Sequence, residues 1–97
     1  MIIRIVKMTF QPEKIEDFQI LFDQNKERIR AFEGIEKLVL YRDKNQNNVF
    51  FTYSIWKDLH HLEQYRKSEL FKNVWTATRT LFLEKAEAWS VDKLISL

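Results

Sequence analysis

Both faces of the predicted strands are apolar, and this pattern restricts the possible folds of the chain more than any other feature. In residues 2–10, Ile2 and Val6 lie on one face, and Ile3 and Ile5 lie on the other. Because successive side chains of a strand point to opposite sides of a sheet, both sides of this strand need apolar cover. The 97 residues include one glycine and one proline, which favours long helices and strands over a loop-rich fold.

The order of the predicted elements is strand, helix, strand, strand, helix, strand. A helix is predicted from Pro12 to Phe32, since proline suits a first helical turn and apolar residues then recur at helical spacing. A second helical region has two halves, Leu59–Lys67 and a continuation that starts at Ser68 and carries an apolar stripe through Leu81 to Phe82. The predicted strands cover residues 2–10, 35–43, 49–56 and 86–94.

Local signals define the ends of these elements. Asp58 and Ser68 are predicted N-caps, because their side-chain oxygens can accept hydrogen bonds from the free N–H groups of a first helical turn. Gly34 is expected to take a left-handed conformation as the cap that follows the first helix. The polar run DKNQNN between two strands predicts a hairpin. The sequence therefore predicts an α+β fold of the ferredoxin-like kind, a βαββαβ chain whose antiparallel sheet carries its helices on one face.

The helix-free face of such a sheet would expose a large apolar patch on a single chain. Whichever set of alternate residues faces the helices, the opposite set includes several apolar side chains, namely Ile3, Ile5, Val39, Tyr41, Phe51, Tyr53 and Ile55 or their counterparts. Because soluble monomers rarely expose patches of this kind, we predict a two-fold homodimer formed through the helix-free sheet face. The alternative is a monomer in which the C-terminal residues 95–97 cover part of this face.

Composition excludes several classes of function. The net charge is +2, from 16 basic and 14 acidic residues that are interspersed, so no basic patch predicts nucleic-acid binding. The absence of cysteine excludes disulfides and thiol catalysis. The N-terminus lacks the apolar core of a signal peptide, and no apolar run approaches the roughly 20 residues of a membrane helix. A soluble, cytoplasmic protein without nucleic-acid or membrane partners is therefore expected.

Aromatic side chains are the most informative candidates for a site. Tyr65, Phe71 and Trp75 lie in the second helical region, which in this topology packs near Phe22 and Asn25 of the first helix. An apolar pocket with one phenol hydroxyl and one indole N–H suits a flat aromatic ligand. Core packing is the alternative explanation. For Tyr65 and Trp75 both explanations stay open, since their polar atoms need a partner if they are buried.

Histidines and carboxylates predict no site by themselves. His60 and His61 are adjacent on a helix, so their side chains point about 100° apart and cannot chelate one ion together. Acidic residues such as Glu13 and Glu16 suit the positive end of a helix dipole. No metal site and no cofactor are therefore predicted, and a proton shuttle through one of the two histidines is the remaining alternative.

The segment FFTYSIWKDLHHLEQYRKSELFKNVW resembles the antibiotic biosynthesis monooxygenase (ABM) family. A strand that ends in a tryptophan is followed by a charged residue and a helix, and then by an aromatic residue and a helix restart, matched here by Tyr65, Ser68 and Phe71. The FEG turn at residues 32–34 fits the same pattern, and the resemblance covers residues 1–97 as a single ABM-like domain. It implies a dimeric α+β barrel with a pocket between each sheet and its helices.

The resemblance also implies an activity. The family includes cofactor-independent monooxygenases of quinol-like substrates, in which the deprotonated substrate itself passes an electron to oxygen. It thus implies oxidation of a small phenol- or quinol-type aromatic substrate. The candidate catalytic residues are Tyr65 as a hydrogen-bond partner of the substrate oxygen, Trp75, and Asn25 as a nearby donor. The candidate pocket residues are Phe22, Tyr65, Phe71 and Trp75. The alternatives are a non-catalytic dimer that binds a small ligand and a bare dimerisation module with a filled core.

Other members of the family degrade heme, and the residues of this chain argue against that branch. The resemblance places an asparagine on the first strand of that branch, a tryptophan on the second helix and, soon after, a histidine that ligates iron. The corresponding positions here hold Val6 or Lys7, then Tyr65, then Trp75. Because an indole is not an iron ligand, heme degradation is not predicted.

Overall fold

The computed structural model describes all 97 residues and contains four strands and three helices. In chain order these are β1 (Ile2–Phe10), α1 (Ile15–Arg30), β2 (Ile35–Arg42), β3 (Val49–Trp56), α2 (Leu59–Arg66), α3 (Glu69–Arg79) and β4 (Phe82–Val91), with a 3-10 turn over Pro12–Lys14 before α1. The strands form one antiparallel sheet in the order β2-β3-β1-β4. This arrangement confirms the predicted ferredoxin-like α+β fold. None of the helices has the length and apolar character needed to cross a membrane.

Two helix starts and the hairpin follow from local hydrogen bonds, as predicted. Asp58 is the N-cap of α2 and accepts a hydrogen bond from the His61 N–H at 2.9 Å. Ser68 is the N-cap of α3 and accepts from the Phe71 N–H at 3.1 Å. In the hairpin between β2 and β3, the carboxylate of Asp43 accepts hydrogen bonds from the backbone N–H groups of Asn45 and Gln46. Each side chain satisfies backbone donors that would otherwise face water, and this fixes the start of the element.

The predicted ends of α1 are only partly right. The first turn is a 3-10 turn, and the helix ends at Arg30 rather than at Phe32. Phe32 leaves the helix and packs against Tyr65, with 5.2 Å between the ring centroids. The Arg30 guanidinium donates to the backbone carbonyl of Ile35 at 3.1 Å, which ties the helix end to the start of β2. The side-chain packing of Phe32 against α2 therefore ends the helix before the apolar periodicity does.

The predicted bounds of the last strand are wrong at both ends. The strand runs over Phe82–Val91, not over residues 86–94, and Leu81 and Phe82 do not belong to the preceding helix. Phe82 pairs with Phe10 across an irregular part of the β1–β4 ladder, and their ring centroids are 5.4 Å apart. At this junction the apolar residues fit both a helical and a strand periodicity. Cross-strand packing therefore determines where the strand begins.

The helix-facing side of the sheet carries the even-numbered residues of β1. Two apolar clusters pack there under the helices, one at each end of the sheet. Their buried members are Met8, Phe10, Phe18 and Phe50 in one cluster, and Ile29, Ile35, Trp56 and Leu62 in the other. The sequence left open which face meets the helices, and these clusters decide it.

The opposite, helix-free face of the sheet keeps apolar side chains in contact with solvent. Tyr41 and Trp89 are 52% and 44% exposed, although both lie on strands. The C-terminal segment does not cover this face, since Leu94 and Ile95 are themselves 90% and 78% exposed. The alternative of a monomer that is shielded by its own tail is therefore wrong for this structure.

Gly34 occupies the turn between α1 and β2 and fits tightly against α2. Its φ of +91° confirms the predicted left-handed conformation, although it lies at the entrance to β2 rather than directly after the helix. A Cβ atom at this position would lie 2.3 Å from Cβ of His61. The Gly34 carbonyl also accepts a hydrogen bond from the Lys57 N–H at 2.7 Å. The absent side chain thus lets the turn, the end of β3 and the first turn of α2 meet.

We expect Gly34→Ala to lower the free energy of unfolding by about 2 kcal/mol, because it adds left-handed backbone strain and a clash with α2. Urea denaturation measures this change. Glu33→Ala, at the exposed neighbouring position, is the control and should lie within about 0.5 kcal/mol of wild type. A Gly34→Ala protein as stable as wild type would show that α2 can move away from the turn at no cost.

Candidate functional site

A cavity of about 340 Å³ lies between the sheet and the three helices. Fifteen of its 20 lining residues are hydrophobic, and they come from all four strands and all three helices. The volume is at the lower end of the range of small-molecule pockets. The cavity therefore suits a ligand of one or two rings, and the predicted alternative of a filled core is wrong.

Small side chains in the middle of the sheet create this cavity. Thr52 and Ala88 flank Val6 of β1 in one row across the sheet, and Ser54 flanks Arg4 in the next row. Large aromatic residues fill the two ends of the same face, as the apolar clusters show. Because the helices pack on large side chains at both ends of the sheet, they cannot come close to the small side chains in its centre. The space between them stays open.

A continuous series of aromatic rings from β3, α2 and α3 lines one part of the cavity. Tyr65 packs on Trp56 with a centroid distance of 4.9 Å and on Phe71 with a distance of 5.2 Å. Phe71 in turn stacks on Trp75, with 5.9 Å between centroids and an interplanar angle of 9°. Contacts of this geometry add to the energy of simple apolar burial and hold the rings in place. The result is a continuous aromatic wall in which the Phe71 and Trp75 rings are parallel and the Tyr65 ring meets Phe71 edge-on.

The Tyr65 hydroxyl is a free hydrogen-bond donor in this wall. The backbone carbonyl of Tyr65 accepts from Ser68, whereas its hydroxyl has no protein partner. No fully enclosed side-chain N or O atom of the structure lacks a partner, so this unpaired hydroxyl is accessible, and Tyr65 is one of the residues that line the cavity. Burial raises the pKa of Tyr65 to about 12. The phenol therefore stays protonated at neutral pH and can donate to a ligand oxygen, but it cannot act as a base there.

Two arginines supply the charged groups of the cavity. Arg4 lines it from the central strand β1, and Arg66 lines it from the last residue of α2. An Arg4 Nη1–H group donates to Ser90 Oγ at 3.1 Å. Burial, and then the positive charge of Arg66, lower the pKa of the Arg4 guanidinium. Arg66 and Ala88 are exposed, which places the opening of the cavity on the side of the edge strand β4.

The four predicted pocket residues come together in the structure. Phe22, Tyr65, Phe71 and Trp75 all line the cavity. Asn25 does not line it. Its amide donates to the Leu21 carbonyl at 2.8 Å and accepts from the Arg28 guanidinium, so its side chain is used within α1.

The histidines lie outside the cavity lining. His60 is exposed, and His61 Nδ1 lies 2.7 Å from a carboxylate oxygen of Asp58. The backbone N–H of His61 and then its side chain lower the pKa of the Asp58 carboxyl, as befits an N-cap. No three His, Cys, Asp or Glu side chains cluster in a way that could hold a metal ion.

The polar residues of the cavity are those that the sequence analysis missed. Arg4, Thr52 and Ser54 share the helix-facing side of the two central strands with large apolar residues. The signal was present in the sequence, because an arginine between Ile2 and Val6 on one strand face is unusual for a core position. The small residues Ala86 and Ala88 on one face of the last strand were a second signal, because short side chains leave space beneath the helices.

The positions that correspond to the heme-degrading branch do not fit a heme iron. Val6 lines the cavity, whereas Lys7 lies on the other face of the sheet, 3.9 Å from a carboxylate oxygen of Glu87. Trp75 lines the cavity where that branch has its histidine, and no histidine lines the cavity at all. Of the two candidates for the strand position, Val6 therefore faces the cavity, and the position of the ligand histidine of that branch holds a tryptophan, whose indole does not ligate iron.

A ferredoxin-like sheet with an aromatic-lined cavity beneath its helices defines a class of small α+β proteins. Within this class the chain belongs to the antibiotic biosynthesis monooxygenase family, whose sequence profile matches residues 1–76. The resemblance that was seen in the segment from the third strand to the last helix is thereby confirmed. No curated protein sequence matches the chain.

Solved structures share this fold at low sequence identity. A crystal structure of an antibiotic biosynthesis monooxygenase superposes with a TM-score of 0.92 at 18% identity, over 98% of this chain and all of that one. A conserved protein from Methanosarcina mazei Go1 has a TM-score of 0.89 at 25% identity and covers 95% of this chain and 92% of its own. SnoaB, a cofactor-independent oxygenase from Streptomyces nogalater, has a TM-score of 0.88 at 17% identity, over 99% of this chain and 95% of its own. These matches confirm the α+β fold with its four-stranded antiparallel sheet.

The burial of Tyr65 predicts a pH-dependent loss of stability at high pH. An unfolded tyrosine ionises near pH 10, whereas folded Tyr65 keeps its proton until about pH 12. The unfolded state therefore gains by ionising first, and stability falls as the pH rises through this window. Between about pH 9 and about pH 11, the unfolding free energy of wild type should fall by about 1 kcal/mol more than that of Tyr65→Phe.

Urea denaturation at the two pH values measures this difference. The same pH dependence in wild type and Tyr65→Phe would show that the Tyr65 hydroxyl is fully hydrated.

Proposed function

We propose that the protein is a cofactor-independent monooxygenase that oxidises a small phenol- or quinol-type substrate in this cavity. The observation that carries the proposal is the accessible, unpaired hydroxyl of Tyr65, a residue that lines a cavity with an aromatic wall. A planar ring can lie along Phe71 and Trp75 while its oxygen accepts the tyrosine proton donor. Family membership and the fold shared with SnoaB support the same reading.

The proposed reaction needs no external reductant. The ionised phenol passes one electron to dioxygen, the two radicals combine at a ring carbon, and the resulting hydroperoxide loses water. A phenol and one dioxygen thus give a quinone and one water. The aromatic wall positions the ring, and the Tyr65 hydrogen bond stabilises the negative oxygen of the substrate.

The proton of the substrate hydroxyl leaves to solvent in this mechanism. No carboxylate and no histidine lines the cavity, so no side chain there is suited to act as a general base at neutral pH. The two positive charges of Arg4 and Arg66 favour the ionised form of a substrate hydroxyl instead. The open side near Ala88 gives water access to the site. Asn25 has no part in this mechanism, since its amide is bonded within α1.

A non-catalytic protein that binds a small aromatic ligand is the second candidate. The observation that favours it is the same lack of a side-chain base in the cavity. In that case the aromatic wall and the Tyr65 hydroxyl would serve recognition alone. Heme degradation is not proposed for either candidate, and a heme titration without a stoichiometric shift of the Soret band is expected.

The helix-free sheet face is proposed to form a homodimer interface. Ile5, Val39 and Tyr53 lie near its centre, and the exposed rings of Tyr41 and Trp89 lie on the strands at its two edges. Apolar area removed from water stabilises association at roughly 25 cal/mol per Å². Proteins with the ABM fold typically form dimeric α+β barrels, which supports sheet-to-sheet pairing here.

Oxygen uptake with a panel of phenols and quinols tests the enzymatic proposal. At least one substrate should consume oxygen faster than the blank, and Tyr65→Phe should lower kcat/KM by about 100-fold because a donor to the developing oxyanion is lost. Ala86→Phe should abolish uptake by filling the cavity. Thr80→Val, which removes an exposed hydroxyl at the end of α3, is the control with unchanged activity.

Two outcomes separate the candidates. If no substrate exceeds the blank rate but an aromatic ligand quenches tryptophan fluorescence with saturation, the non-catalytic candidate replaces the enzyme. A wild-type rate in both Tyr65→Phe and Ala86→Phe would show that the chemistry occurs elsewhere.

Light scattering tests the dimer. At low micromolar concentration we expect the mass of two chains. Tyr53→Lys places an unpaired charge in the interface and should raise the dimer dissociation constant at least about 10-fold. Ile20→Lys, at an equally apolar but exposed position on α1, is the matched control and should stay dimeric. A wild-type mass of one chain would contradict the proposal.

A further inference from the structure

The cavity holds two positive charges and no negative one. Arg4 and Arg66 are its only charged lining residues. Four ion pairs form elsewhere in the protein, between Lys7 and Glu87, Lys14 and Asp17, Lys26 and Asp23, and His61 and Asp58. Neither cavity arginine belongs to any of them. The charge of the cavity is therefore uncompensated by the protein.

The position of Arg4 makes this lack of compensation unusual. Arg4 lies on the central strand and pairs with Ser54 on one side and with Ser90 on the other, on the face where the two apolar clusters lie. A cation that is partly withdrawn from water is destabilised unless it has a counter-ion or a full set of acceptors. A guanidinium has five N–H donors, and Ser90 Oγ accepts from only one of them.

Arg66 adds a repulsive positive charge to the same cavity. It is the last residue of α2 and directly follows Tyr65, so the helix that presents the phenol also presents the second cation. Its charge acts on Arg4, as the lowered pKa of the Arg4 guanidinium shows after the larger effect of burial. Two like charges that face one apolar cavity are each stabilised by a single anion bound between them.

We propose that the ligand of this cavity is an aromatic acid, whose carboxylate is held by Arg4 and Arg66 while its ring lies against Phe71 and Trp75. The inference rests on the proposed function in that it uses the same cavity as the substrate site. It adds the substrate class, which the fold and the family leave open. A ring substituent that is ionised at neutral pH would occupy the arginine end, and the oxygen to be oxidised would lie at Tyr65.

The geometry of the partners favours a carboxylate. Guanidinium groups bind planar carboxylates through paired, parallel N–H donors, and such charge-assisted hydrogen bonds are stronger than neutral ones. The cavity is 340 Å³ in volume and mostly apolar, which accommodates a short aromatic acid rather than a large polyanion. The exposed Arg66 also lies at the open side, where it can attract an anion from solution.

A matched pair of probes tests the proposal. Naphthoate and naphthamide have the same rings and nearly the same shape, but only naphthoate is charged. Titration is followed by tryptophan fluorescence, since Trp56 and Trp75 both line the cavity. Wild type should bind naphthoate at least about 10-fold more tightly than naphthamide. Naphthoate binding alone should weaken as sodium chloride is raised from about 0.05 M to about 0.5 M.

Variants assign the preference to the two arginines. Arg4→Gln and Arg66→Gln should each reduce the naphthoate affinity about 10-fold and leave the naphthamide affinity within about twofold of wild type. Arg79→Gln removes the same charge from an exposed arginine of α3 outside the cavity lining and should keep the wild-type preference. Circular dichroism spectra establish that each variant is folded, and Arg4→Lys serves as a second variant that keeps the charge.

The outcomes separate this inference from the proposed function. Equal affinity for the two probes, or an acid preference that both glutamine variants retain, overturns the aromatic-acid inference and leaves the monooxygenase proposal standing. A clear acid preference without oxygen uptake for any phenolic acid supports the inference and overturns the enzymatic proposal. Failure of both probes to bind to the folded wild type overturns the inference as well.

Discussion

The distribution of side-chain size across one face of the sheet is the constraint on which the structure depends. Phe10, Phe50 and Trp56 are almost fully buried at the ends of the central strands, whereas threonine, serine and alanine lie between them. The helices pack on the large residues, and a cavity remains between the helices and the small residues. The hydrophobic effect thus stabilises the fold at two separate clusters, and the space between them is available for a ligand.

One face of the sheet lines the cavity, and the other is the proposed dimer interface. Arg4 and Val6 of β1 point to the cavity, whereas Ile3 and Ile5 of the same strand point to the face proposed for dimerisation. Since alternate residues of one strand belong to different sites, a single backbone positions both. This explains why neither face has the polar composition of an ordinary solvated sheet.

Much of the fold was predictable because it follows from local signals that the sequence states directly. The caps at Asp58 and Ser68, the polar hairpin and the period-two strands each depend on residues that are close in the chain. The ends of α1 and β4 were mispredicted because they depend on distant contacts, of Phe32 with Tyr65 and of Phe82 with Phe10. No local pattern contains this information.

The candidate site was predictable only in its aromatic part. Phe71 and Trp75 lie four residues apart on α3, so their stacking follows from that helix itself, whereas Tyr65 lies on α2 and meets Phe71 across the break at Ser68. Asn25 was placed near the site by topology, but a contact within one helical turn to Leu21 holds its amide instead. The role of Arg4 required knowledge of which strand face meets the helices, which the apolar character of both faces had concealed.

The close contact at Gly34 also bears on the cavity, because it involves α2, the helix that carries Tyr65. The turn meets α2 at His61, and Tyr65 follows His61 by one helical turn on the same side of the helix. The distance between the backbone of that loop and the helix therefore sets how deeply the phenol ring reaches over the sheet. A hydrogen atom where every other amino acid has a side chain thus permits the close approach of the loop to the helix that carries Tyr65 into the lining of the cavity.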